Sequence, residues 1–134
     1  MASQITSVNA RQRRLLEELE RCGDEISGQQ LHRAIQAGER PMGLATVYRH
    51  LRLLQQQGLV RCRHLPTGEA LYAPLTRDRH HLTCVDCGRT SALSHCPIHG
   101  LTVPAEESQG FELLFHTLEF FGLCASCREQ QRQP

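Results

Sequence analysis

Apolar residues in the first half of the chain recur at helical spacing and predict three short helices, over residues 10–21, 28–37 and 44–57. The first segment ends at a Cys-Gly pair, and the second follows a capping-box pattern, Ser27-Gly28-Gln29-Gln30. The third segment carries apolar residues at intervals that predict its buried stripe, namely Leu44, Val47, Leu51 and Leu54.

A short hairpin is predicted directly after the third helix, with strands over residues 59–64 and 69–73 around Pro66-Thr67-Gly68. Three helices followed by a small hairpin are typical of a winged helix-turn-helix domain, in which the third helix enters the major groove of DNA. A second face of that helix is polar and basic with one aromatic residue, and it consists of Ala45, Tyr48, Arg49, Arg52, Gln55 and Gln56. A solvated helix face without a ligand has the same composition, but the order of the elements favours DNA binding.

The second half has a different pattern, dominated by short strands. Residues 81–84 and 89–93 are predicted strands on either side of a turn at Gly88, and a short helix is predicted over 105–109. Residues 111–121 are predicted to form a longer strand that is apolar on both faces. Such a strand is either central in a sheet or covered by a partner subunit.

Composition and charge add the cellular context. All fifteen basic side chains, not counting histidine, are arginines. Residues 1–73 contain ten arginines and seven acidic residues, and residues 74–134 contain five arginines and seven acidic residues. This asymmetry permits a DNA contact by the first half. No stretch approaches the roughly 20 apolar residues of a membrane span, so the chain is expected to be cytoplasmic. In that compartment seven cysteines indicate metal or redox chemistry and not a disulfide framework.

Two Cys-x-x-Cys pairs provide the clearest chemical signal. Cys84, Cys87, Cys124 and Cys127 are predicted to bind one Zn²⁺ ion tetrahedrally through four thiolates. The alternative is a redox-active thiol oxidoreductase, but such a motif usually opens a helix after a strand, whereas Cys84 lies in a strand-like run. Since no Ser/His/Asp or Glu/His grouping stands apart from these residues, the chain is not predicted to be an enzyme.

Histidines are concentrated in the same half, with five of the eight between positions 80 and 116. A single histidine in such a chain is more often a surface or hydrogen-bonded residue than a ligand. The concentration nevertheless predicts at least one further metal site, which would bind metal in a pH-dependent way because imidazole must be neutral to coordinate.

Three motifs together resemble the Fur superfamily of bacterial metal-responsive regulators: Gly43-Leu44-Ala45-Thr46-Val47-Tyr48-Arg49-His50-Leu51, then His81-Leu82-Thr83-Cys84-Val85-Asp86-Cys87-Gly88, and the late Cys124-x-x-Cys127. Cysteine and histidine dominate the spare ligands, so the chain is most similar to the zinc uptake regulator (Zur) branch. The resemblance implies an α+β protein: a winged-helix DNA-binding domain over 1–73, a hinge over 74–80, and an α/β dimerisation domain with a four-cysteine zinc site over 81–134. It further implies a homodimer that binds palindromic double-stranded operator DNA when a regulatory zinc site is filled, with no membrane or small-molecule substrate.

The resemblance also assigns candidate site residues. Candidate DNA contacts are Tyr48, Arg49, Arg52, Arg13 and Arg14. The four cysteines are the structural zinc ligands. The regulatory site is expected at His64 and His81, with Cys62 and Cys96 chosen by their chemistry. A further family site would fall on Asp78, His80, His99 and His116.

This chain departs from the family pattern around the regulatory site. Ala73-Pro74-Leu75 replaces the region where many members carry a Cys or Glu ligand, and Ala92 occupies a position that is often acidic. An iron-dependent regulator (Fe²⁺) or a peroxide sensor therefore stays open as an alternative within the same fold.

Overall fold

The computed structural model describes residues 8–38, 40–77 and 79–132. The chain divides into two units, Met1–Arg77 and Asp78–Pro134, and each unit is described by itself. In the described ranges no helix combines the length and the apolar character that a membrane span requires.

Three helices of the N-terminal unit confirm the predicted pattern: α1 (Ala10–Cys22), α2 (Gly28–Gln36) and α3 (Leu44–Gln56). The predicted capping box is formed at the start of α2. The Gln30 backbone N–H donates to Ser27 Oγ at 3.1 Å, and the Ser27 N–H donates to Gln30 Oε1 at 3.0 Å. Two of the backbone donors at the helix start are thereby satisfied.

A three-stranded antiparallel sheet completes this unit as a winged helix. Strands β2 (Val60–His64) and β3 (Ala70–Pro74) form the predicted hairpin, and β1 (Ile26–Ser27) pairs with the other edge of β3. The sequence pattern did not predict β1, because a two-residue strand is too short to show an alternation.

The core of the N-terminal unit is aliphatic and lies between the helices and the sheet. Its buried members are Leu15, Leu19, Leu31, Ile35, Met42, Val47, Leu51, Leu54, Val60 and Tyr72. The predicted stripe of α3 is wrong at Leu44, which is 38% exposed, whereas His50 is buried. A helical side chain covers the turn that precedes it, and Leu44 is the first helical residue, so it projects past the helix end.

Arg77 ties the end of the N-terminal unit to α1. Its guanidinium donates to the carbonyl oxygens of Leu19 at 3.1 Å, Glu20 at 3.2 Å and Asp24 at 3.2 Å. The Arg77 carbonyl in turn accepts a hydrogen bond from the Arg61 guanidinium at 3.3 Å. The bonds to Leu19 and Glu20 satisfy carbonyls at the C-terminal end of α1, which have no partner within the helix itself.

A second three-stranded sheet organises the C-terminal unit, with the order β5–β4–β6. It contains β4 (His81–Cys84), β5 (Thr90–Ala92) and β6 (Glu119–Gly122). Strand β4 is antiparallel to β5 and parallel to β6. A 3-10 helix covers Ala105–Glu107, and a helix, α4 (Ala125–Arg132), follows β6.

The predicted long strand over 111–121 is wrong in its first part, since only Glu119–Gly122 forms a strand. The register explains the difference. Strand β4 has four residues, and all four are already paired with β6 from His81↔Glu119 to Cys84↔Gly122. The alternating apolar residues that precede β6 therefore have no partner strand within the described part of this unit. Phe111 and Leu113, two of these residues, are 74% and 60% exposed.

The interior of the C-terminal unit has an unusual composition. Its buried described residues are His80, His81, Thr83, Cys84 and Cys127. Within residues 79–132, no aliphatic or aromatic hydrocarbon side chain is fully buried. Hydrophobic burial, which supplies most of the stabilisation in ordinary domains, is therefore small within the described part of this unit in a single chain.

His50 is a buried titratable group in the N-terminal unit. Its Nδ1 atom lies 3.4 Å from Gln12 Nε2, and its Nε2 atom is buried without a hydrogen-bond partner in the part of the chain described. Burial lowers the pKa of His50, and the positive charges of Arg49 and Arg11 lower it further. The folded state thus favours the neutral imidazole.

Acidification is expected to weaken the N-terminal unit. The pKa of His50 lies near 6.5 in the unfolded chain and lower in the folded one. The stability that the neutral His50 imidazole contributes is therefore complete above about pH 6.5 and declines as the pH falls below that value. Both tyrosines, Tyr48 and Tyr72, belong to this unit, and the chain has no Trp. Urea unfolding followed by tyrosine fluorescence at about pH 7.5 and about pH 5.5 should show this loss, and His50→Gln should reduce it. If the free energy of unfolding changed equally with pH in the wild type and in His50→Gln, the prediction would be wrong.

Candidate metal centres and nucleic-acid interface

The sheet of the C-terminal unit brings the two cysteine pairs to one point. Cys84 ends β4 and Cys87 lies in the turn that follows, while Cys124 comes after β6 and Cys127 lies in the first turn of α4. Because β6 runs parallel to β4, both pairs emerge at the same end of the sheet. The four Sγ atoms all lie within 4.8 Å of one another, and together they form the four-cysteine cluster.

The spacing of the sulfurs fits a tetrahedral metal ion. In a tetrahedral site of four sulfurs with zinc–sulfur bonds of about 2.3 Å, neighbouring sulfurs are about 3.8 Å apart. Cys87 Sγ and Cys124 Sγ are separated by 3.8 Å. Gly88 has a φ of 80°, the left-handed conformation that the turn requires and that glycine adopts without strain.

Backbone donors stabilise one of these thiolates. Hydrogen bonds from the N–H groups of Cys124, Cys87 and Asp86 lower the pKa of Cys84 to about 6, and the Cys124 N–H lies 3.4 Å from Cys84 Sγ. These hydrogen bonds favour the thiolate form of Cys84, which is the form that binds a metal. In contrast, hydrogen bonding to Cys124, together with burial, raises the pKa of Cys127.

A second ligand cluster lies in the same unit and consists of His80, Cys96 and His116. Each offers one ligand atom, and these three atoms lie within 4.8 Å of one another. The two imidazole rings are stacked, with centroids 5.0 Å apart and an angle of 26° between their planes. His80 is 1% exposed, and its carbonyl accepts a hydrogen bond of 2.7 Å from the Leu93 N–H.

The residues predicted for the regulatory site are divided between the two units. Cys62 and His64 lie on β2 of the N-terminal unit, whereas His81 and Cys96 belong to the C-terminal unit. Cys62 packs against the hydrophobic core, opposite Tyr72 in the sheet, and burial raises its pKa. His64 is exposed at the end of its strand.

The residues predicted for the additional site are placed differently. His80 and His116 come together as predicted, but the third member of their cluster is Cys96 and not His99, which is exposed. Asp78 lies outside the described residues. Sequence spacing did not group Cys96 with the two histidines, because the contact depends on how an irregular segment folds back onto the start of β4.

The predicted DNA-contacting side chains lie mainly on the exposed face of α3. Its exposed positions form one stripe of Leu44, Ala45, Tyr48, Arg49, Arg52, Leu53 and Gln56. Arg13 is exposed on α1. Arg14 is only partly exposed, and its guanidinium donates to the carbonyl oxygens of Arg40 and, at 3.0 Å, Ile35. These bonds occupy Arg14 within the unit.

Tyr48 rests on the first residue of α2. The ring of Tyr48, whose residue is 40% exposed, lies so close to Gly28 that a Cβ atom at this position would overlap the ring. Glycine at position 28 therefore allows the Tyr48 ring to approach the start of α2 closely.

Comparisons with known proteins agree with this architecture. The Ferric uptake regulator family matches residues 6–121, which is most of the chain. The chain belongs to this family. Its members are metal-responsive transcriptional regulators.

Individual relatives differ in the metal that their names state. The zinc uptake regulation protein of Mycobacterium tuberculosis is 34% identical over 82% of this chain and 85% of the relative. The ferric uptake regulation protein of Neisseria meningitidis is 28% identical over 82% of this chain and 77% of the relative. The crystal structure of the Vibrio cholerae ferric uptake regulator is 30% identical, covers 88% of this chain and 92% of that one, and has a TM-score of 0.58.

Loss of one ligand of the four-cysteine cluster is expected to unfold the C-terminal unit selectively. Metal bound by four sulfurs contributes roughly 10–16 kcal/mol of apparent binding free energy, and this unit has almost no hydrocarbon core to replace it. Cys124→Ser should lose one equivalent of metal and the amide-exchange protection of residues 81–132, as measured by elemental analysis and hydrogen exchange. Cys22→Ser is the matched control, since Cys22 is an exposed thiol at the end of α1. Persistent protection of residues 81–132 in the metal-depleted Cys124→Ser protein would contradict the prediction.

Proposed function

We propose that this protein is a zinc-responsive transcriptional regulator that binds operator DNA as a homodimer when its second metal cluster is filled. The observation that carries the proposal is the presence of two separate ligand clusters in one small unit. The four-cysteine cluster is suited to hold the unit together, whereas the second cluster has three ligands among residues 79–132, namely His80, Cys96 and His116. An incomplete site suits a metal that must exchange.

Operator binding is assigned to the exposed face of α3 in the winged helix. Arg49 and Arg52 provide guanidinium groups that can form bidentate bonds to guanine, each discriminating by roughly 1–3 kcal/mol. Tyr48 adds an aromatic contact, and Arg13 on α1 is available for the phosphate backbone. Arg14 is left out of this surface because its donors already bind carbonyl oxygens of the same unit.

A second copy of the chain is the proposed partner of the C-terminal unit. The exposed large apolar side chains of this unit include Leu82, Val85, Leu101, Phe111, Leu113 and Phe121. Many exposed large apolar side chains in one small unit are typical of an interaction site, and two-fold symmetry in a regulator matches the two half-sites of a palindromic operator. In this proposal residues 1–73 bind DNA, residues 81–134 dimerise, and residues 74–80 are the hinge.

Metal would act by shifting the population of domain arrangements towards the one that fits two successive major grooves. Couplings of about 1–3 kcal/mol are typical of allosteric proteins in general and correspond to changes of about 5–150-fold in affinity. His81, Cys62 and His64 remain predicted contributors to regulation, since His81 adjoins His80 and the other two lie on the wing.

Zinc is favoured over iron because the second cluster contains a thiol. Thiolate and imidazole donors suit Zn²⁺, whereas carboxylate-rich sites suit Mn²⁺ and other hard ions. The similarity to a zinc uptake regulation protein supports the same choice. An iron-responsive regulator is the second candidate, and the similarity to ferric uptake regulators favours it.

Zinc is expected to raise operator affinity through the second cluster. Protein whose four-cysteine cluster is filled would be titrated with buffered free Zn²⁺ against a duplex selected from a random-sequence pool. The affinity should rise by about 5–150-fold, and His80→Ala should abolish the rise. His95→Ala is the matched control, because His95 is an exposed histidine outside the cluster.

Two results would contradict the proposal. Operator affinity that is independent of Zn²⁺ in the wild-type protein would exclude zinc sensing. A response to Fe²⁺ under anaerobic conditions, at concentrations where Zn²⁺ has no effect, would support the iron-responsive alternative.

Replacing Gly28 is expected to weaken operator binding through Tyr48. In Gly28→Ala the new Cβ atom displaces the Tyr48 ring, while helix stability changes by at most about 1 kcal/mol because alanine is a better helix former than glycine. Operator affinity should fall about as far as in Tyr48→Ala, and the double variant should show no additional loss. Additive losses would show that Gly28 acts independently of Tyr48.

A further inference from the structure

Among the described residues, the second cluster contains Cys96 and not the predicted His99, and this difference has a chemical consequence. The similarity to the family implied His99 as a ligand beside His80 and His116, but Cys96 takes that place in the structure. We infer that Cys96 is the specificity-determining ligand of this cluster and makes it select Zn²⁺ over Mn²⁺ and Fe²⁺. The inference rests on the proposed function only in treating this cluster as the sensing site.

The donor set of the cluster is two nitrogens and one sulfur. Among residues 79–132 no carboxylate oxygen belongs to this group of ligand atoms. A site of two imidazoles and a thiolate has borderline and soft donors only, whereas Mn²⁺ favours carboxylate, carbonyl and water oxygens. Removing the sulfur would leave two imidazoles, a donor set that binds several divalent ions without strong preference.

A local turn holds the thiol in position without a metal. Cys96 Sγ donates a hydrogen bond of 2.9 Å to the carbonyl oxygen of Ile98. Pro97 lies between them, and its ring fixes the backbone φ angle at about −65°. This hydrogen bond requires the protonated thiol, so it is replaced by the metal–sulfur bond when Cys96 binds a metal as the thiolate.

The histidine side of the cluster is also fixed by the fold. His80 is buried directly before β4, and its carbonyl is bonded to the Leu93 N–H next to β5. Its ring is stacked on His116. Cys96 is partly exposed, so water or another small ligand can reach the cluster and complete a tetrahedron.

Cobalt spectroscopy tests the sulfur directly. Full-length protein with Zn²⁺ in the four-cysteine cluster would be titrated with Co²⁺, which reports a thiolate ligand by a sulfur-to-cobalt charge-transfer band. One equivalent should bind with this band in the wild type and without it in Cys96→Asp. Cys22→Ser, which removes a thiol outside both clusters, should retain the band.

Competition with chromophoric chelators measures the selectivity. Loss of an outer-shell partner alone lowers metal affinity by roughly 10–100-fold, so loss of this ligand in Cys96→Ala should lower Zn²⁺ affinity by about 100-fold or more. Relative to Cys96→Ala, Cys96→Asp should raise the affinity for Mn²⁺ more than the affinity for Zn²⁺. The ratio of Zn²⁺ to Mn²⁺ affinity should then be at least about 10-fold lower than in the wild type. Circular dichroism and retention of zinc in the four-cysteine cluster would confirm that each variant is folded.

Separate outcomes distinguish this inference from the proposed function. A wild-type cobalt complex without a charge-transfer band, or an unchanged Zn²⁺/Mn²⁺ preference in Cys96→Asp, would overturn the role of Cys96. If the band and the preference behave as expected while operator affinity ignores zinc, the selectivity stands and the regulatory function fails.

Discussion

The four cysteine sulfurs at the end of β4 are the interaction on which the C-terminal unit depends. They converge from two segments that are separated by 36 residues in the sequence, and they do so in a unit whose buried described side chains are two histidines, two cysteines and a threonine. An N-terminal unit with a full aliphatic core can fold by hydrophobic burial. The described part of the C-terminal unit has no such core in a single chain, so we expect metal binding and folding to be coupled there.

This dependence links the two metal clusters. Strand β4 ends at Cys84 in one cluster and is preceded by His80 of the other. Whatever fixes Cys84 therefore also fixes the strand that positions His80. In the proposed function, a four-sulfur site that stays occupied is therefore the prerequisite for a second site that can gain and lose its metal. The division of roles follows from the ligands and needs no contact between the two units of the chain.

Local sequence signals predicted the features that depend on local physics. The capping box at Ser27, the hairpin after α3 and the convergence of two Cys-x-x-Cys pairs each follow from a few neighbouring residues and a known geometry. The predictions failed where the structure of a segment depends on the parts of the chain that it contacts in the folded protein. Residues 111–118 alternate like a strand, yet β4 is too short to pair with them. Helix α4 was missed because its polar residues resemble a tail, although Cys127 anchors it. Cys96 could not be grouped with His80 and His116 because only the tertiary fold brings an irregular segment to the start of β4.

The central claim is that this unit holds two chemically different metal sites, one for the fold and one for the response. X-ray absorption at the zinc edge, compared between protein with one and with two equivalents of Zn²⁺, tests it most directly. We expect an all-sulfur first shell at one equivalent and a mixed average of sulfur and imidazole nitrogen at two. A second equivalent that fails to bind, or that leaves the all-sulfur signal unchanged, would contradict the claim.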